Sequence, residues 1–210
     1  MIVSSFARSS RSLVLACVLA VTLPLAGCGV NNIPTYEQNA KAAWSEVLNT
    51  YKSRTDLIPN LVATVKGFAE QEKSVLTEVV EARAKATSAQ VQVPPDILTN
   101  PDAMKTFQET QAQLGGALGR LLAVVERYPD IKSGQNFLAL QSQLEGIENK
   151  IRIARSDYIQ AVRQYNTEIT TIPGRWWRAF VYPDKTEMAA FDIPADEQKT
   201  PKVDFGTDKK

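Results

Sequence analysis

The side chains whose types and spacing could do chemistry here are charged and amide residues set along apolar-striped segments. They are Arg54, Asp56, Asn60, Glu72 and Arg83 in one segment, and Glu145, Glu148, Arg152, Arg155 and Asn166 in another. The carboxylates among them could serve as an acid and a base. That chemistry needs two acids converging in a cleft with their pKa values pushed apart, and nothing in the spacing brings two together. Glu148 and Arg152 are one helical turn apart and suit an ion pair on a single helix face. Several of the set flank an apolar stripe, where charged pairs fix the register between packed helices. The expectation is therefore a structural or recognition role for Arg54, Asp56, Asn60, Arg83, Glu148, Arg152, Arg155 and Asn166, with no catalytic residue and no enzyme. A carboxylate enzyme stays open as an alternative whose sign would be a buried pair of acids in a cleft.

The residue types that are missing narrow the chemistry further. The 210-residue chain has no histidine and two cysteines, Cys17 and Cys28. A Ser-His-Asp or Cys-His nucleophile system is thereby excluded, as is a zinc site of the usual His/Cys type. Bundle proteins that bind two irons carry Glu-x-x-His on paired helices, which this chain lacks. Gly115-Gly116-Ala117-Leu118-Gly119 is glycine-rich, but it lies inside a helical pattern with no strand before it, unlike a phosphate loop. No cofactor and no metal are expected.

Cys28 has a chemistry of its own. Residues 1–12 carry Arg8 and Arg11 with no acid, and Leu13 to Ala26 is apolar apart from Thr22 and Pro24. This is the positive and then apolar pattern of a secretory leader, too short for the roughly 20 apolar residues of a spanning helix. Leu25-Ala26-Gly27-Cys28 resembles the bacterial lipobox, which implies cleavage before Cys28, lipidation of its sulfur and acylation of the new amino terminus. A plain secretory signal with an incidental cysteine is the alternative. Each buried methylene contributes about 0.8 kcal/mol, so two or more acyl chains hold a protein stably where one does so marginally. By analogy with Gram-negative lipoproteins, Gly29 after the cysteine favours an outer-membrane position facing the periplasm, outside the cytoplasm in any case. Loss of residues 1–27 would remove two arginines and no acid from a chain of 24 basic and 23 acidic residues. Charge then balances, which gives nucleic-acid binding little support. No thiol would remain for a disulfide, so the fold must rest on its core.

The elements that must position these residues are helices. Residues 28–35 are polar, contain Pro34 and form a tether. From Tyr36, apolar residues at Trp44, Val47, Leu48, Tyr51, Ile58, Leu61, Val62, Val65, Phe68, Leu76, Val79 and Val80 step by three and four as far as Ala84, the stripe of an amphipathic helix. Pro59 interrupts the run without slipping its phase, which favours one long kinked helix over a reversal there. Residues 90–101 hold three prolines and no period, and form a loop. A second stripe runs from Met104 and Phe107 through Gln111, Leu114, Leu118 and Leu121 to Tyr128, started by Pro101 and Asp102 and stopped by Pro129. Its Gly115, Gly116 and Gly119 are expected to serve tight packing, with a close crossing against a partner as the other option. A third stripe, from Phe137 through Leu144, Ile151, Tyr158 and Tyr165 to Ile172, needs a helix over about 133–171 at the spacing of coiled-coil-like packing. Three to four helices, all-α and elongated, are expected. After Pro173-Gly174, the segment Arg175 to Tyr182 (RWWRAFVY) is dense in aromatics. It either caps the open end of the helices or lies in a headgroup layer, with Trp176, Trp177 and Phe180 the membrane-interface candidates. Residues 183–210 are rich in charge and proline and should be mostly irregular.

These stretches are similar to the LemA family of bacterial envelope proteins. The resemblance is carried by Trp44-Ser45-Glu46-Val47, Arg54-Thr55-Asp56-Leu57-Ile58-Pro59-Asn60-Leu61-Val62, Val65-Lys66-Gly67, Glu81-Ala82-Arg83-Ala84, Glu126-Arg127-Tyr128-Pro129-Asp130, Asn136-Phe137 with Leu140-Gln141, Leu144-Glu145 with Glu148-Asn149-Lys150-Ile151, Ala154-Arg155, Tyr158, Val162, Tyr165-Asn166 and Pro201-Lys202-Val203-Asp204-Phe205. It implies an antiparallel helical bundle of about four helices over residues 36–182. Many relatives carry an N-terminal membrane helix where this chain has a lipobox. The family has no settled biochemical activity. Together these features predict a membrane-held scaffold or protein-interaction module with an unidentified envelope protein partner, or alternatively a lipid-binding protein working through residues 176–182.

Overall fold

Apolar side chains repeating every three and four residues can leave water only if helices bury their stripes against one another. A computed structural model describes residues 29–66 and 72–191. The leader, Cys28, Gly67 and residues 192–210, with the Pro201 to Phe205 stretch, lie outside the described residues. Among those residues the chain is all-helical, with no strand. It has six helices: α1 (Asn32–Lys66), α2 (Lys73–Val91), α3 (Pro101–Val125), α4 (Pro129–Lys132), α5 (Gln135–Thr170) and α6 (Gly174–Phe180). Three to four were expected. The excess comes from two short helices, α4 and α6, and from division of the first stripe.

That division does not occur at Pro59. The proline sits inside α1 on its exposed side, where a missing backbone bond and the ring face solvent. Instead α1 ends at Lys66 and α2 begins at Lys73. The stripe expected to run on as one helix folds back, because continuing straight would leave Leu76, Val79 and Ala82 without apolar neighbours. Folded back, they share a core with Ile58, Leu61 and Val65. The Arg83 guanidinium, donating through Nε to the carbonyl of Thr55 at 2.9 Å, locks the reversed pair.

α3 starts where expected, its first turn capped by the Asn100 side chain, which accepts from the amide of Ala103 at 3.1 Å. It lies against α2 in reverse, with Arg120 paired to Glu78 and Arg127 to Glu72. α5 runs back along α1, placing Glu168 beside Asn32, Tyr158 beside Trp44 and Glu148 beside Arg54. At 1.5 Å per residue, α1 and α5 are each about 50 Å long.

Two apolar clusters divide this length. The distal one gathers the second half of α1, α2, the second half of α3 and the start of α5 around Leu61, Val79, Leu114, Leu121 and Phe137. The proximal one joins the first half of α1 to the second half of α5, with help from Ile97 of the loop, Met104 and Phe107 of α3, and Met188 and Phe191 of the C-terminal segment. Its centre is aromatic: the Trp44 ring lies 5.3 Å from Phe107, 5.4 Å from Tyr158 and 6.0 Å from Phe191. Residues 183–191 form no helix, as expected, yet they are firmly held. Asn166 grips the backbone of Met188 through both ends of its amide, at 2.9 and 2.8 Å. Tyr158 donates its hydroxyl to the carbonyl of Ala189 at 2.7 Å, and the Ala189 amide donates to Leu98 O at 2.7 Å.

The glycines divide by what surrounds them. At Gly174 an added Cβ would sit 2.0 Å from the carbonyl oxygen of Glu168, so only glycine lets α6 turn directly against the end of α5. The α3 glycines are not at a tight contact, contrary to expectation. A Cβ at Gly115 or Gly116 would make ordinary contacts with arginine side chains, and at Gly119 it would meet nothing within 4 Å. Gly119→Ala should therefore raise stability by up to about 1 kcal/mol through helix propensity alone, a rise of roughly 2–4 °C in Tm. A melting curve unchanged or lowered by the substitution would show that something covers this face of α3.

Candidate functional site

Between the two apolar clusters lies a polar layer, and Arg54 is its centre. The α1 stripe carries the guanidinium inward, leaving the residue only 4 % exposed. One terminal nitrogen donates to Gln111 twice, to the backbone carbonyl at 3.1 Å and to Oε1 at 2.8 Å. The other donates to Glu148 Oε1 at 3.1 Å. The plane of the group lies over the Tyr51 ring, 5.0 Å from its centre, an arrangement that favours a cation. Nε is buried without a hydrogen-bond partner.

This layer opens to the surface as a notch of about 300 Å³, walled by Tyr51, Arg54, Gln108, Gln111, Gly115, Glu148, Arg155 and Phe191. The missing side chain at Gly115 leaves room above Arg54: a Cβ there would stand 3.8 Å from the guanidinium. Arg155 stacks over Phe191 at 5.3 Å and makes no ion pair among the described residues. The notch thus contains two guanidinium groups and one carboxylate, a local positive excess suited to an acidic group.

The other candidates disperse. Glu148 pairs with Arg54 across helices rather than with Arg152 along its own, and Arg152 turns to Asn149. Asp56 pairs with Lys52 at the surface, in mid-helix. Asn60 is exposed. Arg83 and Asn166 hold the α1–α2 reversal and the C-terminal segment. The aromatic segment splits: Trp177 packs onto the proximal core, while Trp176 and Phe180 are exposed. Gln111 escaped the candidate set although it stood in the α3 stripe. A polar residue at an apolar stripe position was the available signal for it.

Burial pushes Glu37 up, but hydrogen bonds and charge from Lys185 and Lys41 outweigh it and hold the carboxyl below its ordinary value, with the ammonium groups at 2.6 and 2.8 Å. A general acid needs the opposite shift. Burial raises Tyr158 and Tyr165 above the usual phenol value, so both stay neutral. Among the described residues no three acidic side chains come together as metal ligands, and no helix is long and apolar enough to cross a membrane.

The sequence profile of the LemA family matches residues 43–205. The chain belongs to the LemA family. The match begins beside Trp44 of the aromatic core and takes in every residue of the notch. This LemA chain is also similar to two curated proteins of Paramagnetospirillum magneticum, Magnetosome protein MamQ 1 and MamQ 2. Each is 28 % identical over 157 residues, covering 68 % of this chain and 58 % of the relative. Magnetosome protein MamQ of Magnetospirillum gryphiswaldense is 26 % identical over 157 residues, with the same coverage. The chain thus spans less than two thirds of the length of these relatives.

Proposed function

We propose that this LemA chain is a lipid-anchored, non-enzymatic interaction protein of a bacterial cell envelope. It is an elongated antiparallel helical bundle, tethered to a membrane through Cys28 and exposed outside the cytoplasm, that grips a protein partner by an acidic side chain. If the envelope has two membranes, Gly29 after the cysteine favours the outer one. The observation that carries the reading is the convergence of Arg54, Gln111, Glu148 and Arg155 in one notch. Arg54 is immobilised, so its charge is preorganised, and Arg155 is steadied against Phe191 with its donors unspent. A carboxylate entering here replaces water with two fixed guanidinium groups and loses little entropy in doing so. The one carboxylate of the notch, Glu148, is taken up by its pair with Arg54, which supports recognition over acid–base work.

The test is photocrosslinking in intact cells from a reactive side chain at Gln108, on the lip of the notch. The parent should capture a discrete envelope protein, and Arg155→Glu should cut the yield at least tenfold while melting like the parent. Equal capture by the charge-reversed variant would sink the docking role. A mature chain whose mass shows no acyl groups on Cys28 would separately sink the lipid anchor.

A further inference from the structure

Trp176 and Phe180 stand one turn apart on α6 and are 56 % and 84 % exposed, and Ile172 and Val181, which flank them in the chain, are 65 % and 48 % exposed. Large apolar side chains left in water as a group mark a surface that something covers. Their position identifies the cover. A Cβ on Gly29 would lie 3.7 Å from Pro173 and 3.9 Å from the indole nitrogen of Trp177, and Asn32 donates to Glu168 at 3.2 Å. The residue that follows Cys28 is therefore packed against the root of the aromatic segment. Consecutive Cα atoms are about 3.8 Å apart, so acyl chains on Cys28 would hold this end of the molecule at the bilayer surface. Trp177, turned inward onto the proximal core, fixes α6 there. Arg175 is exposed and makes no ion pair among the described residues.

We propose that Ile172, Trp176, Phe180 and Val181 form a second membrane contact that enters the boundary between headgroups and acyl chains of the bilayer holding Cys28, with Arg175 beside it for lipid phosphates. Tryptophan and phenylalanine next to arginine suit that boundary, where an apolar face and a charged one are both satisfied. The contact rests on the anchored reading for its proximity to lipid. Its consequence is orientation: a chain held by one flexible thioether could lie in any direction, whereas a second attachment beside it limits how the molecule tilts about its anchor.

The mature chain, purified from the envelope in detergent and reconstituted into phosphatidylcholine and phosphatidylglycerol vesicles with brominated acyl chains, gives a direct readout. The parent's tryptophan emission should fall by at least a third relative to vesicles without bromine. Trp176→Phe, an exposed substitution that leaves the core alone, should lose most of that quenching while floating with the vesicles as before. Flotation reports the anchor, and quenching reports the patch. A parent that floats without quenching, or equal quenching in parent and variant, overturns the contact. Shielding of Trp176 from acrylamide without lipid quenching does the same and shows that protein, not lipid, is the cover. A parent that does not float overturns both readings. A Cys28→Ala variant that floats and is quenched like the parent shows that the patch holds lipid without the anchor and supports it.

Discussion

Trp44→Ala should lower the stability of this protein by about 3–5 kcal/mol, the usual cost of truncating a buried large aromatic, and its Tm by roughly 6–20 °C. Trp44 is where the proximal half becomes one core. Its ring touches α3 through Phe107, α5 through Tyr158 and the C-terminal segment through Phe191, so three elements meet on this one side chain. Edge and tilted ring contacts of this kind add about 0.5–1.5 kcal/mol each beyond area. The loss should also be local. Phe191 loses a wall, so the amide of Ala189, bonded to Leu98 O at 2.7 Å, should exchange hydrogen faster than amides of the distal core such as Leu121. Trp44→Phe, keeping much of the ring, should cost less than half as much. A Trp44→Ala chain melting within 2 °C of the parent, or exchanging uniformly, would show that the proximal half does not depend on this cluster.

How much of this was legible beforehand varies with the range over which each feature is decided. Helices α3 and α5 are visible to within a few residues, because their starts and stops are local: Pro101 after a capping Asn100, Pro129 after Tyr128, Pro173 after the last stripe residue. The α1–α2 reversal is not local. Both helices carry the same three-and-four spacing, and the phase happens to continue across the join, so periodicity reads them as one. Tertiary contacts reveal the turn: Arg83 with Thr55, and Leu76 and Val79 with Ile58 and Leu61. At Pro59 the expectation of no reversal holds, since the residue lies inside α1: a proline strains a helix but does not end one whose exposed side can absorb it.

The site follows a similar pattern. Arg54, Glu148 and Arg155 were legible as candidates, since charged residues beside an apolar stripe must either pair or reach water. Their partners were not. The i,i+4 rule joined Glu148 to Arg152, yet the interhelical guanidinium of Arg54 wins because it is the more desolvated cation and needs the anion more. The C-terminal segment looked loose on composition, but composition does not register Asn166, whose one amide satisfies both the donor and the acceptor of Met188.

Arg54→Met is the second large effect, and it separates architecture from recognition. Methionine fills much of the arginine stem's space, and Glu148, whose side chain is 44 % exposed, can turn to water once its partner is gone. Gln111 has no such exit. It is buried, and its Oε1 would lose the donor at 2.8 Å with only a long contact from its Nε2 to Ala86 O, at 3.5 Å, remaining. An unsatisfied buried amide oxygen costs about 1–3 kcal/mol, and the lost contact with Tyr51 adds to it, so the single variant should lose about 2–4 kcal/mol. Adding Gln111→Leu removes the stranded group. An apolar pair in place of a buried polar one is often neutral or better, so Arg54→Met with Gln111→Leu should recover at least half of the loss, a favourable coupling well above 1 kcal/mol in a double-mutant cycle. Recovery of the fold without recovery of the notch is the informative state. The double variant should melt closer to the parent than the single one does, yet capture its partner at least tenfold less than the parent through Gln108. If it regains stability and crosslinks as the parent does, Arg54 serves only to join the two cores, and the partner is held elsewhere on the rod.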